Sequence, residues 1–255
     1  MSIKLKNIKK LKNTLKISII TVTKNSERFL QKTIDSLSKQ TYQNFEHIVI
    51  DGASTDRTLD IIKENSNKIT KWISEPDQGL YHAMNKGLSF CNGEIVGILN
   101  SDDVYFSDAL SIVNEYFVKN EIDFLFGSVF KHKLMHGFYP KKIHWTFGFY
   151  TAHSVGFFIK KLSQDKIGFY NTKYKWSADY DIFYKMIVKH KMKGMATKKN
   201  EVFGNFRPGG LSSSIRYIDF LKENNQIRLD NGQNKIVVYT IFFLRLLRNF
   251  KKLFR

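Results

Sequence analysis

Polar and apolar positions change period along this chain. Runs rich in β-branched residues occur at 17–22 (Ile-Ser-Ile-Ile-Thr-Val), from Phe45 to Ile50 and at 94–99, with a shorter one from Lys71 to Ser74. Each is bounded by a turn-forming polar cluster, the pattern of strands buried on both faces. Between them the apolar positions keep helical spacing: Phe29, Leu30, Ile34 and Leu37, then Leu59, Ile61 and Ile62, then Leu80 to Leu88, then Leu110, Val113 and Phe117. Asn25 or Ser26 is placed to cap the first of these helices and Ser107 the last. A further strand is expected over Phe124–Phe130. Four alternations of strand and helix in about 130 residues are the signature of a parallel, doubly wound α/β sheet.

The second half is less regular. Aromatic residues crowd 138–158, a helix is expected over Ala178–Val188, and turn signals cluster at Arg207-Pro208-Gly209-Gly210. With three prolines, no repeat and no low-complexity linker, the chain reads as one domain of two halves with appendages. The divisions are a basic N-terminal extension (1–16), a regular α/β half (17–130), an aromatic-rich half of the same domain (131–215) and a helical basic tail (216–255).

Composition sharpens this picture in three ways. With 255 residues, including 22 Phe and 12 Tyr, the chain has ample material for a core and does not read as disordered. Its single cysteine, Cys91, excludes an internal disulfide framework, suits a reducing cytoplasm and is expected to be an inert buried thiol. No stretch reads as a secretory leader or reaches transmembrane length.

The net charge of +18 is concentrated at the two ends. Residues 1–16 hold six lysines and 235–255 hold six Lys or Arg, neither with an acid, so these segments carry +12 and leave +6 for the body. The second segment is also amphipathic. Ile236 to Leu244 is almost wholly apolar, and Arg245, Arg248, Lys252 and Arg255 then recur at helical spacing opposite Leu246, Phe250 and Leu253. Such a helix lies in the interface of an anionic membrane, its basic side chains reaching the head groups. The alternative is a terminal helix docked on its own domain with a solvated basic face.

Candidate chemistry collects where the strands stop. The 94–99 strand runs into Asn100-Ser101-Asp102-Asp103, a cluster of hard oxygen ligands. In parallel α/β sheets ligands gather at the carboxyl ends of strands, and carboxylates with room for water suit Mg²⁺ or Mn²⁺ bridging to a diphosphate. The competing reading is that Ser101 or Asp102 caps a following helix. The first strand ends in Thr21, Thr23, Lys24 and Asn25, and the second in Asp51, with Ser54, Thr55 and Asp56 behind it. If these strands are parallel neighbours, all three sets meet at one edge. No Gly-x-Gly-x-x-Gly follows the first strand and no Walker A sequence occurs, which weighs against a dinucleotide oxidoreductase or a P-loop ATPase.

Six motifs occur in order: Ile-Ile-Thr-Val-Thr-Lys-Asn-Ser at 19–26, Lys-Gln-Thr-Tyr at 39–42, Val-Ile-Asp-Gly-Ala-Ser-Thr-Asp at 49–56, Ile-Ser-Glu-Pro-Asp-Gln-Gly-Leu-Tyr at 73–81, Ala-Met-Asn-Lys-Gly at 83–87 and Leu-Asn-Ser-Asp-Asp at 99–103. With them the chain resembles the family 2 inverting glycosyltransferases of GT-A fold, in particular the bacterial colanic-acid and capsule polysaccharide types. The resemblance is dense over 15–130 and sparser to about 211.

The resemblance implies a Rossmann-like, mostly parallel sheet flanked by helices, with residues 17–130 binding the nucleotide-sugar and 131–215 the acceptor. On the nucleotide-sugar side it implies Thr21, Thr23, Asn25, Asp51, Ser54, Asp77, Asn85, Lys86, Asn100 and Ser101. Thr21 and Asp51 match nucleotide contacts. Asn100-Ser101-Asp102 occupies the family's Asp-x-Asp position, so Asp102 is the expected ligand of Mg²⁺ or Mn²⁺, with Asp103 adjacent. The chain departs from the pattern in that Asn100, an uncharged amide, replaces the first carboxylate and His82 stands where relatives often carry Asp.

Inversion needs a base on the acceptor hydroxyl. Trp176-Ser177-Ala178-Asp179-Tyr180-Asp181 resembles the family's Glu-Asp motif with Ala178 in place of Glu. This aligns Asp179 with the base. Asp181 is the second candidate, and helix capping is the structural alternative. His153, Trp176 and Arg207 fall on the acceptor side or a closing loop, and Trp145, Phe147 and Phe149 are either sugar platforms or core.

The activity that the resemblance implies is sugar transfer from a nucleotide-sugar, with a UDP-sugar as the expected donor, to a glycan or lipid-linked glycan in bacterial surface polysaccharide synthesis. The implied place is the cytoplasmic face of the cell membrane, with residues 236–255 as the contact and no nucleic-acid partner. Two rivals are weighed. A nucleotidyltransferase needs a glycine-rich basic loop after the first strand, where 23–28 offers only Lys24 and Arg28. A nucleic-acid binder using the tails leaves the acidic strand ends unexplained.

Overall fold

The structure, a computed structural model, describes residues 14–144, 149–209 and 215–250. Strands β1 (Ile17–Thr23), β2 (Phe45–Asp51), β3 (Lys71–Ser74) and β4 (Ile95–Ile98) alternate with helices α1 (Leu30–Ser38), α2 (Thr58–Glu64) and α3 (Leu80–Ser89). There follow β5 (Val104–Tyr105), α4 (Ala109–Lys119), β6 (Phe124–Phe126), β7 (Ser128–Phe130), β8 (Leu134–Met135), β9 (Phe157–Lys160), α5 (Lys161–Ile167), α6 (Ala178–Tyr184), β10 (Gly194–Ala196) and β11 (Val202–Asn205). Two longer helices, α7 (Tyr217–Asp230) and α8 (Lys235–Arg248), complete the described chain.

The main sheet has the order β10-β6-β9-β4-β1-β2-β3. It is parallel except for β9, which pairs antiparallel with β4 and β6. The aromatic-rich half therefore places a strand inside the first half's sheet. The carboxyl ends of β1, β2 and β3 are level, because Thr23 pairs with Asp51 and Asp51 with Ser74. Alternation along β1 sends Ile20 and Val22 to one core and Ile17 and Ile19 to the other. α3 covers the first face with Met84 and Leu88, and α4 covers the second with Leu110, Val113 and Phe117. Each such fully buried aliphatic contributes about 1.5–3 kcal/mol.

Many of the aromatic residues gather in one cluster: the Phe126 ring centroid lies 5.2 Å from that of Phe157, 5.3 Å from Phe138 and 5.5 Å from both Tyr150 and Phe183. Phe149 is fully buried there, so it is core. Trp145 and Phe147 lie outside the described residues.

Local expectations differ from the structure at several points. Strand Phe124–Phe130 is two strands in two sheets, since β7 joins a second sheet of order β5-β11-β7-β8. The break is Gly127, whose amide donates to the Gly156 carbonyl and whose missing side chain leaves room for the Phe203 ring. Neither Asn25 nor Ser26 caps α1 with its side chain. The N-cap is Phe29, and it is the Ser26 carbonyl that accepts from Phe29 and Leu30. Ser107 does not cap α4 either, where Asp108 holds that position without a side-chain bond. The helix expected over Ala178–Val188 is α-helical to Tyr184 and then widens into a π-turn over Lys185–Lys189. Cys91 is buried and unpaired, and burial pushes its thiol up to about 12.

Helices α7 and α8 pack against the body. α7 buries Leu221 and Ile227, and Ile227 joins the main aromatic core. α8 turns Val238, Ile241 and the half-buried Arg245 inward, so Arg245 is not on a solvated basic face as expected. The outward row is apolar: Ile236, Tyr239, Phe243, Leu247 and Phe250, at spacings of three and four. Among the described residues no helix is long and apolar enough to cross a membrane.

Candidate active site

The carboxyl edge of the sheet opens into a cleft of about 1620 Å³. One side is built by the ends of β1 and β4, with Thr23, Lys24, Asn25, Ser26, Asn100, Ser101 and Asp102 on its wall. Another is built by the start of α3, where Gly79 adopts φ +118°, a conformation that side chains resist, and turns Tyr81 inward. The remaining walls come from 150–154, 172–180, the 206–207 loop and the first turn of α7.

Around Asp102 the groups are few and specific. Burial raises its pKa, and the Arg207 guanidinium, 4.0 Å from Oδ2, pulls the other way. The Arg207 guanidinium carbon sits over the Phe29 ring, 3.5 Å from its centroid. Its backbone N–H donates to Asp103 Oδ1 at 2.8 Å, while Ser154 Oγ donates to Asp103 Oδ2 at 2.5 Å. Asp103 is almost fully buried, with its carboxyl pushed up to about 7, chiefly by burial. Both of its oxygens are occupied, and it does not line the cleft.

Asn100 Oδ1 is buried and has no hydrogen-bond partner among the described residues, although Asn100 lines the cleft beside Asp102. No group of three or more His, Cys, Asp or Glu suited to a metal occurs among the described residues. One carboxylate and one amide oxygen still fit a hard divalent cation that takes its other ligands from phosphate and water.

Asp179, at the start of α6, lines the same cleft. The Tyr81 hydroxyl lies 3.1 Å from both Asp179 Oδ1 and the Trp176 carbonyl, and Tyr150 donates to Oδ2 at 3.1 Å. His153 lies close by, its Nε2 2.8 Å from the Tyr170 hydroxyl and its ring stacked on Phe157. Burial lowers the His153 pKa, partly offset by Asp179, so the ring is neutral at pH 7. Trp176 lines the cleft with Lys175 Nζ 4.5 Å from its ring centroid.

The remaining expected residues are not on the wall. Asp181 is buried behind α6, accepting from Asn231 Nδ2 at 2.7 Å and pairing with Lys185. That follows from the helix, where positions two apart point to different faces. Thr21 is buried, its Oγ1 3.0 Å from His47 Nε2. Asp51 is buried and accepts from Ser54 N, Ser54 Oγ and Ser74 Oγ, while Ser54 Oγ also accepts from Asn25 N. Asn85 is bonded twice to the backbone of Tyr170. Lys86 is held by Glu75 at 2.7 Å and by the Pro76 carbonyl.

Of the nucleotide-side set, Thr23, Asn25, Asp77, Asn100 and Ser101 line the cleft. Thr21, Asp51, Ser54, Asn85 and Lys86 do not. Sequence reading missed Tyr81, Tyr150 and Phe29. Tyr81 stands inside one of the ordered motifs, but nothing local marks Tyr150 or Phe29 among so many aromatics.

Residues 18–187 match the model of the family described as glycosyl transferase family 2. A PGL/p-HBAD biosynthesis glycosyltransferase of Mycobacterium bovis (strain BCG / Pasteur 1173P2) is 30% identical over 224 residues, covering 80% of this chain and 82% of that protein. WfgD of Escherichia coli, named a UDP-Glc:alpha-D-GlcNAc-diphosphoundecaprenol beta-1,3-glucosyltransferase, is 31% identical over 113 residues, 44% of this chain and 45% of WfgD. S. aureus TarS 1–349 in complex with UDP-GlcNAc is similar with a TM-score of 0.71 at 20% identity, over 92% of this chain and 73% of that one. The chain spans 43% of a longer TarS chain. Mannosyltransferase PcManGT from Pyrobaculum calidifontis, in complex with GDP-Man and Mn²⁺, is similar with a TM-score of 0.64 at 16% identity, over 90% of this chain and 68% of that one. At these identities the structural likeness is one of fold, and the fold is GT-A.

Proposed function

Since the chain belongs to glycosyl transferase family 2, we propose that it transfers a sugar from a UDP-sugar to a hydroxyl of a glycan or lipid-linked glycan, inverting the anomeric carbon. The observation that carries this reading is a single cleft lined both by Asn100-Ser101-Asp102 at the sheet edge and by Asp179 on α6. In this reading Thr23, Asn25, Asp77 and Ser101 contact the donor directly. Thr21, Asp51, Ser54, Asn85 and Lys86 support those positions from behind.

Asp179 accepts the proton of the acceptor hydroxyl as that oxygen bonds to the anomeric carbon, opposite the departing nucleoside diphosphate. Tyr81 and Tyr150 hold one carboxylate oxygen each, which fixes the direction of the base. Asp102 and Asn100 Oδ1 are the ligands assigned to Mg²⁺ or Mn²⁺. When bound, the ion neutralises charge on the leaving diphosphate. Arg207 sets a second positive charge beside Asp102, and Asp103 anchors that loop rather than ligating.

The donor and acceptor classes are supported by the name of the E. coli relative, with its UDP-Glc donor and diphosphoundecaprenol-linked acceptor, and by the UDP-GlcNAc complex of TarS. The outward row of α8, together with the absence of acids from 235 to 255, supports peripheral binding to an anionic membrane. The cytoplasmic face of a bacterial membrane, during surface polysaccharide synthesis, is the proposed setting.

The test is a transfer reaction with UDP-glucose or UDP-GlcNAc and a GlcNAc-diphosphate lipid, followed by the anomeric proton coupling of the product. UDP release with a β-linked product from these α-linked donors is expected. An α-linked product would overturn the single-displacement reading.

A further inference from the structure

The segment that delivers Asp179 is held by a carboxylate from far along the chain. Glu223, on α7, accepts three consecutive backbone N–H groups: Lys175 N on Oε2 at 2.8 Å, and Trp176 N and Ser177 N on Oε1, each at 2.7 Å. These amides lead into the first turn of α6. There the N-cap, Ser177, makes no side-chain cap bond, and its buried Oγ has no partner among the described residues. The local sequence therefore leaves this helix start without a side-chain cap, and Glu223 instead fixes the three residues that lead into it. Hydrogen bonds from amides to a carboxylate are charge-assisted, shorter and stronger than neutral ones.

The tether is placed to act on Asp179. Asp179 lies two residues beyond the last tethered amide, and the Tyr81 hydroxyl contacts both its carboxylate and the Trp176 carbonyl. Trp176 is thus held at its N–H by Glu223, while its C=O and Asp179 Oδ1 share the single Tyr81 hydroxyl proton. Further along, α7 and the residues after it fasten the other end of the unit. Arg228 Nε donates to the Tyr180 hydroxyl at 2.9 Å, and Asn231 Nδ2 donates to Asp181 Oδ1. Asp181 and Tyr180 would stay fixed without Glu223, whereas the leading edge carrying Trp176 and Asp179 would swing. Glu223 does not line the cleft itself.

We propose that Glu223 is a positioning residue for Asp179, setting the angle at which α6 presents that carboxylate to the acceptor. The inference rests on the reading of Asp179 as the base. It assigns a role in turnover to α7, a helix that lies beyond the 18–187 family match.

The test compares Glu223→Ala, Glu223→Gln, Asp179→Asn and the Asp179→Asn/Glu223→Ala double variant in the full chain, using UDP-glucose and the GlcNAc-diphosphate lipid. Glu223→Ala is expected to lower kcat about 10- to 100-fold, the scale of a displaced catalytic group, with the KM for UDP-glucose within about twofold of wild type. Glu223→Gln keeps one acceptor oxygen and should recover part of the loss. Because Glu223 acts through Asp179, the double variant should be no slower than Asp179→Asn alone. Amide hydrogen exchange on the same proteins, which needs no substrate, should speed up over 175–179 and remain unchanged in the central strands.

If the losses multiply, or if exchange rises throughout the fold, Glu223 is a stability element and the inference is overturned. Full activity in Asp179→Asn would instead remove the base assignment, a result distinct from multiplied losses with Asp179→Asn impaired.

Discussion

Asp179 and Asp181 differ in what surrounds them more than in chemistry. Asp179 meets two phenol hydroxyls in an open cleft, whereas Asp181 is buried against Asn231 and Lys185. Asp179→Asn is therefore expected to lower kcat by about 10²- to 10⁴-fold, the usual weight of a general base, without lowering the thermal midpoint. Steady-state rates and a melting curve check it. The motif resemblance made the cleft positions of Asp179 and Asp102 legible in the sequence. The hydroxyls that aim Asp179 were not, since they come from 98 and 29 residues away and look like any other core tyrosine.

His47 sets a second expectation at this scale. Complete burial drives its pKa from 6.5 down to about 3, so the folded protein holds it neutral. Between those values the unfolded chain binds a proton that the native state does not. Its contribution to stability is thus present above pH 6.5 and is lost as pH falls towards 3. Urea midpoints at pH 8 and pH 4.5 should show wild type losing about 2 kcal/mol more than His47→Leu. Equal losses would mean that the ring protonates freely in the fold.

At the scale of elements, strands β1 to β4 and helices α1 to α4 were readable because each keeps one period long enough to be counted. What defeated the pattern was tertiary contact. The run 124–130 is broken only by the small residues Gly127 and Ser128, and the Phe203 ring packed over Gly127 explains why it divides between two sheets. Gly127→Ala should cost about 1–3 kcal/mol through overpacking, read as a lower urea midpoint with an unchanged slope. The caps at α1 and α4 are not legible locally, because the backbone carbonyl of Ser26 accepts at the first helix and the distant Gln40 Oε1 accepts from Leu110 N at the second.

α8 was legible as amphipathic, but its orientation was not, since docking through Val238 and Ile241 leaves the apolar row outside. Phe243 and Leu247 are 60% and 59% exposed. Phe243→Glu with Leu247→Glu should abolish sedimentation with phosphatidylglycerol vesicles and leave the melting temperature within about 2 °C, as expected for surface positions. Retained sedimentation would remove this row as the membrane contact.

For the whole molecule, the two halves read along the chain are one unit in space. β9, from the aromatic half, sits between β4 and β6, and the cleft draws its walls from both halves and from α7. The carboxyl edge of the sheet was predictable from the strand ends, but the depth of each side chain was not. Thr21 and Asp51 point into packed protein, while their neighbours Thr23 and Asn25 reach the cleft. We propose that this edge binds a nucleoside diphosphate with a divalent cation at Asp102.

Thermal unfolding tests it most directly, with UDP, GDP and dTDP, each with and without Mn²⁺, on wild type and Asp102→Ala. A shift that needs one nucleotide together with the metal, and is lost in the variant, is the predicted result. Ligand at 100 times its Kd stabilises by about 2.7 kcal/mol, well within reach of the method. No shift with any nucleotide, or one that persists in Asp102→Ala without metal, would contradict the account.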